Sequence, residues 1–108
     1  MLDDREDYAL YKLLSGYDLA VERTRLDFAD LAFEGIGPGN HPVMVGIERK
    51  HMGDLAQCVI DRRLSGHQLK GMAEMYDYCY LLIEDQWRPD QSGGIEVYRG
   101  GRWTPLYA

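Results

Sequence analysis

A chain of 108 residues, 45% hydrophobic and 28% charged, has the size and make-up of one folded domain, which excludes a disordered, fibrous or multi-domain protein. No stretch approaches the roughly 18 uninterrupted apolar residues of a membrane-spanning helix, and the charged start Met1-Leu2-Asp3-Asp4-Arg5-Glu6-Asp7 does not read as a signal peptide. The expected location is the cytoplasm, or the nucleus of a eukaryotic cell, and not the secreted space. A net charge of -6 speaks against a nucleic-acid partner, yet the charge is unevenly placed: residues 1–34, 48–70 and 71–108 carry -5, +2 and -3, so one basic segment lies between two acidic ones.

The elements are short and alternate in type. Tyr8 to Leu14 has helical spacing, with Gly16 as its C-terminal cap. Leu19 to Leu26 reads as a partly covered strand and Leu31 to Phe33 as the next. Gly35-Ile36-Gly37-Pro38-Gly39-Asn40-His41-Pro42 concentrates turn residues ahead of the β-prone run Val43 to Ile47, which predicts a hairpin with a flexible tip. From Gly53, the apolar residues Leu55, Cys58 and Val59 recur at helical intervals, giving a helix to about Arg63, with Asp54 available to cap or charge its first turn. A second helix is predicted from Gly66 to Tyr76. Tyr78-Cys79-Tyr80-Leu81-Leu82-Ile83 is continuously apolar and reads as a central strand covered on both faces. Ile95 to Tyr98 and Trp103 to Tyr107 form a last hairpin turned at Gly100-Gly101. Cys58 and Cys79 lie in apolar stretches without metal-type spacing and read as reduced, buried thiols.

Gly46-Ile47-Glu48-Arg49-Lys50-His51-Met52-Gly53-Asp54 is the most informative stretch, because it places charges at the end of an apolar strand. Residues two apart on a strand share a face, so Glu48 and Lys50 project together while Arg49 points the other way. If Leu31 to Phe33 pairs antiparallel with this strand, Asp30 joins Glu48 and Lys50. Two carboxylates and a lysine at a sheet end suit metal-assisted phosphodiester hydrolysis: the hard ion Mg²⁺ binds through one or two carboxylates and the substrate phosphate, and a lysine can manage the attacking water. The plainer alternative for Glu48 and Lys50 is a surface ion pair.

Glu48-Arg49-Lys50 with Asp54 resembles the E-R-K-x-x-x-D signature of the XPF-type structure-specific endonucleases, within the restriction-endonuclease-like PD-(D/E)XK superfamily. Asp3-Asp4-Arg5-Glu6 is similar to the family's D-x-R-E, and Phe28-Ala29-Asp30-Leu31 to its hydrophobic-Gly-Asp-hydrophobic motif, with Ala29 in place of glycine. Asp54-Leu55, Ile60-Asp61-Arg62-Arg63-Leu64 and Gln68 resemble its D-L-x-x-S-I-x-D-G-R-L stretch, with Arg63 at a glycine position, and Tyr80-Leu81-Leu82-Ile83-Glu84 resembles its Y-L-L-I-E strand. The resemblance implies an α/β fold with a mixed central sheet flanked by helices, in a single domain over residues 1–108 that is shortened at its C-terminal end, since the family domain continues past the Gly-Gly hairpin. It implies Asp30, Glu48 and Lys50 as the catalytic set and Asp30 and Glu48 as Mg²⁺ ligands, with Mn²⁺ able to substitute. The Arg49 carbonyl would be a third ligand and Asp3 a further or water-mediated one. Arg5, Glu6, Arg49 and Asp54 would support the site, while Arg62, Arg63, His67, Gln68 and Lys70 would hold DNA, although basic residues on helices are more often simply solvated.

Three functions are therefore in view. The first is metal-dependent cleavage of branched or flapped DNA, by a homodimer or with a partner subunit. The second is a non-catalytic DNA-binding or subunit-interaction module on the same fold. A third is an acidic decoy for a basic protein. Trp87, Trp103, Leu106 and Tyr107 serve either self-association or the core.

Overall fold

The computed structural model describes residues 1–60 and 69–106. Its elements run β1 (Leu2–Asp3), α1 (Tyr8–Ser15), β2 (Arg23–Thr24), β3 (Leu31–Ile36), β4 (Pro42–Lys50), α2 (Met52–Ile60), α3 (Leu69–Met75), β5 (Tyr78–Ile83), β6 (Trp87–Pro89), β7 (Ile95–Arg99) and β8 (Arg102–Pro105). The larger sheet has the order β2-β1-β3-β4-β5. It is mixed, because β1 pairs parallel with β2, β4 pairs parallel with β5, and β3 is antiparallel to both β1 and β4. The chain is thus mixed α/β. A second sheet, β6-β7-β8, is antiparallel throughout.

Local chemistry accounts for the boundaries. The Asp7 carboxylate accepts from the Ala9 N–H (3.0 Å) and caps α1. The β3–β4 hairpin closes through Gly39 and Asn40, both with positive φ (72° and 60°), a conformation that glycine and asparagine adopt readily. Gly100 and Gly101, at φ 58° and 84°, turn β7 into β8 as a two-residue primed turn requires.

The core lies on one face of the large sheet. Leu26, Ala29, Ala32, Met72 and Tyr76 form it, with Phe28 and Met44 packed alongside. Two glycines let α3 approach. A Cβ at Gly46 would stand 2.4 Å from the Tyr76 ring, and one at Gly71 would stand 2.2 Å from the Phe28 ring. On the opposite face, the register aligns Phe33, Val45 and Tyr78 in one row and Ile47 with Tyr80 in the next. Phe33, Tyr78, Tyr80 and Leu82 all remain exposed there.

Several expectations need correction. Tyr78–Ile83 is not a central strand: it forms the edge of the sheet, and Tyr80 and Leu82 are 58% and 50% exposed. A continuous apolar run marks a strand that resists mixing with polar residues, but it does not distinguish burial within a subunit from an apolar outer face. Cys79 on that strand is accordingly exposed, whereas Cys58 is buried as expected. Of the stretch Leu19 to Leu26, only Arg23–Thr24 pairs as strand. The expected end of the first helix at Arg63 and the start of the second at Gly66 lie outside the described residues. Trp87 is exposed, while Trp103 and Leu106 are half-buried, and Leu106 packs near Gly53 at the start of α2. Among the described residues, no helix is long and apolar enough to cross a membrane.

Candidate functional site

Asp3 is the buried acid of the large sheet, 2% exposed. Its N–H donates to the Asp30 carbonyl (2.8 Å), which ties β1 to the start of β3. Arg5 grips the carboxylate as a fork, Nε to Oδ1 at 3.0 Å and Nη2 to Oδ2 at 2.5 Å, and Nη2 also donates to the Leu26 carbonyl (2.6 Å). These charge-assisted bonds outweigh the cost of burial and hold the Asp3 carboxyl down at about 2.

The antiparallel pairing of β3 with β4 is present, with Leu31 opposite Ile47. It continues one step further, where the Asp30 N–H donates to the Ile47 carbonyl (2.8 Å) and the Arg49 N–H donates to Asp30 Oδ2 (2.7 Å). Asp30 and Glu48 thereby face one cleft, and Lys50 Nζ lies 3.6 Å from Glu48 Oε1, on the face that strand alternation assigns to both. Ala29, just before Asp30, stands at φ 75°, the left-handed region that glycine takes without strain. An alanine there costs on the order of 1–2 kcal/mol. The bend is held from the core side, because the Tyr76 hydroxyl donates to the Phe28 carbonyl (2.7 Å).

Glu6 links this cleft to a neighbouring one. Burial, then a hydrogen bond with the Asp30 carboxyl and the charge of Asp30, push the Glu6 carboxyl up to about 7. Glu48 is also raised, by burial first and the charge of Asp30 second. Arg49 leaves the strand from the alternate position, yet its guanidinium reaches Glu6 (Nη1 to Oε2, 2.9 Å) and grips Glu84 through both Nε and Nη2. Arg49 in turn holds the Glu84 carboxyl below its usual range.

Asp54 lies in the first turn of α2, exposed, and lines the neighbouring cleft with Lys50, His51 and Cys58. The cap that Asp54 was expected to offer comes instead from Asp85, whose Oδ2 accepts from the Met52 N–H (2.7 Å) and whose Oδ1 meets His51 Nδ1 (3.2 Å). Sequence reading missed Glu84, Asp85 and Tyr76 as parts of the site. Glu84 was visible only as the last residue of the Y-L-L-I-E resemblance, with Asp85 after it, and no local pattern ties either to residues more than 30 positions earlier. Of the expected DNA contacts, Lys70 is exposed on α3, while Arg62, Arg63, His67 and Gln68 lie outside the described residues, as does Tyr107.

The first cleft, of about 380 Å³, is lined by Asp3, Glu6, Asp27, Asp30 and Glu48, with Arg5 as the one cation in its wall among the described residues. The charged groups in its wall are carboxylates in excess, and two of them, Glu6 and Glu48, have raised proton affinity, through burial first and Asp30 next. That chemistry fits a hard divalent cation held by one or two carboxylates, with water and a substrate phosphate completing its shell. It does not fit a closed cage: among the described residues, no three acids, histidines or cysteines are arranged to hold an ion by themselves. Asp3 has both of its oxygens on Arg5. Comparison of the chain with protein-family models, with curated proteins and with solved structures finds no match.

Proposed function

We propose that the chain is a Mg²⁺-dependent endonuclease that hydrolyses a phosphodiester bond in branched or flapped DNA, with Asp30, Glu48 and Lys50 as its catalytic set. The observation that carries this reading is the meeting of Asp30 and Glu48 in one acidic cleft, with the Lys50 ammonium 3.6 Å from Glu48. The resemblance to XPF-type nucleases supports it, and of its motif residues Arg5 pairs with Asp3, Arg49 with Glu6 and Lys50 with Glu48. When bound, Mg²⁺, or Mn²⁺ in its place, supplies Lewis acidity and offsets charge developing on the phosphate oxygens.

The chain's own groups have separable tasks. Asp30 is fixed by the Arg49 N–H and Glu48 by the strand, so both present carboxylate oxygens without reorganising. Lys50 holds the attacking water by hydrogen bonding at the edge of the cleft. Arg49 clamps Glu6 and Glu84 and sets the position of the strand end. Arg5 keeps Asp3 ionised beside them.

The partners in this reading are DNA and a second subunit. Exposed Phe33, Tyr78, Tyr80 and Leu82 on the bare sheet face support self-association. One observation favours a non-catalytic DNA-binding module instead: Asp3 is satisfied by Arg5, Asp30 by the Arg49 N–H and Glu6 by the Arg49 guanidinium. Incubation of labelled splayed-arm, flap and four-way-junction DNA with Mg²⁺ or with EDTA separates the two. The nuclease reading expects Mg²⁺-dependent cutting of at least one branched substrate, reduced at least about a hundredfold in Asp30→Asn; binding without cutting supports the module.

A further inference from the structure

Helix α1 buries none of its residues completely, and it carries two tyrosines, Tyr8 exposed and Tyr11 half-buried. Tyr8 and Tyr11, three residues apart and so on one face, stack with ring centroids 5.4 Å apart. From the adjacent strand β2, the Arg23 guanidinium stands 5.4 Å from the Tyr8 ring and 5.6 Å from the Tyr11 ring, and Lys12 Nζ is 5.9 Å from Tyr8. Were this cluster only a clasp between α1 and the sheet, its leading ring would be covered; Tyr8 is 54% exposed.

The charges are also available. Arg5, Arg25, Arg49, Lys50 and Arg88 are paired with carboxylates. Among the described residues, no carboxylate lies within ion-pair distance of Arg23 or Lys12, and Arg23 donates to the Asp4 carbonyl (3.2 Å). Two acids close in sequence to α1 have other partners: Asp4 holds Arg25 and Asp7 caps α1. Arg23 pairs in register with Leu2, which places it on the sheet face opposite Asp3 and the acidic cleft, and Tyr8 follows Glu6 of that cleft by two residues.

We infer that α1 and β2 form a stacking platform for single-stranded DNA, with an unpaired base on the open face of Tyr8 and backbone phosphates on Arg23 and Lys12. Exposed aromatics take any base by its π-face, and arginine adds a cation–π contribution, so such a platform selects unpaired over paired strands more than it selects sequence. The choice of DNA rests on the nuclease reading, and the platform specifies that reading's substrate as one with a single-stranded arm entering past α1.

The test is fluorescence anisotropy with fluorescein-labelled oligo(dT), and with blunt duplex of equal length, in EDTA at low salt. Wild-type protein is expected to bind oligo(dT) more tightly than duplex, with affinity falling as salt rises. Tyr8→Ala is expected to weaken oligo(dT) binding about tenfold while Tyr8→Phe retains it, and Arg23→Gln is expected to weaken it and flatten the salt dependence. Circular dichroism melts of the same variants check that α1 still folds. Absence of oligo(dT) binding, equal binding by Tyr8→Ala, or equal losses in Tyr8→Ala and Tyr8→Phe would each overturn the platform. Because these measurements contain no metal, they are independent of whether DNA is cut.

Discussion

Glu6 is drawn in opposite directions by its neighbours: Asp30 and burial favour its protonated form, while Arg49 at 2.9 Å favours the ionised one. The first pair prevails, raising its pKa from 4.5 to about 7. A folded-state pKa above the unfolded value means that the fold binds the proton more tightly, so this contribution to stability is complete below about pH 4.5 and is lost as pH rises through about 7. Asp3 acts in the other sense, but only between about 2 and 3.8, and is constant across the window of interest. Urea unfolding in EDTA is therefore expected to show stability declining from pH 4.5 to 7 in the wild type and a flatter profile in Glu6→Gln; parallel profiles would show that Glu6 is not the group responsible. At this scale the sequence was partly readable. Strand alternation was enough to join Glu48 with Lys50, and one pairing assumption added Asp30. Alternation by itself did not reveal the partners of Arg49, because it describes where a side chain leaves the strand, and a guanidinium on a long stem reaches Glu6 and also Glu84, 35 residues away.

Helix α3 shows how one element sets the geometry of another. Its C-terminal neighbour Tyr76 lies flat on Gly46 of β4 and reaches the Phe28 carbonyl, so the same ring seats the helix and holds the bend that presents Asp30. A methyl group at position 46 has no room: Gly46→Ala is expected to displace the ring and destabilise the protein by about 1–3 kcal/mol. The account also expects that substitution to impair the site, because the Phe28–Asp30 segment loses its support. Thermal melts and cleavage assays on the same variant check both, and an unchanged melting temperature would refute the packing described. Helix α1, the β3–β4 hairpin and the Gly100-Gly101 turn were legible because caps, turn residues and periodicity are local signals. The location of β5 was not. An apolar strand at a sheet edge and one at its centre have the same pattern, and the difference depends on which elements the rest of the chain supplies to cover it. Strand β6 was missed for a related reason, since Trp87-Arg88-Pro89 is too short for periodicity and contains a proline.

For the molecule as a whole, charge and apolar surface fall on separate regions. Five of the 18 acidic residues line one cleft, so much of the -6 net charge is concentrated where a cation would offset it and is not spread as a general barrier to DNA. The sheet face carrying Phe33, Tyr78, Tyr80 and Leu82 is apolar at those positions, and among the described residues β5 pairs on one side only, with β4, and contains neither the lysine nor the proline that often protects an edge. Sedimentation of the wild type is expected to show a concentration-dependent doubling of mass, abolished in Tyr80→Lys with Leu82→Lys. Both side chains are at least half exposed, so the variant's melting temperature at low concentration should change little; a wild type that stays monomeric would remove the second subunit from the account.

The central claim is that Asp30, Glu48 and Lys50 form a working hydrolytic site. Its most direct measurement is the single-turnover rate of cleavage of a labelled flap DNA in Mg²⁺ by wild-type protein and by Lys50→Ala, with both proteins shown to be folded. The account predicts metal-dependent cleavage by the wild type and a loss of at least about a hundredfold in Lys50→Ala. Equal rates in the two proteins, or no Mg²⁺-dependent cleavage by the wild type, would contradict it.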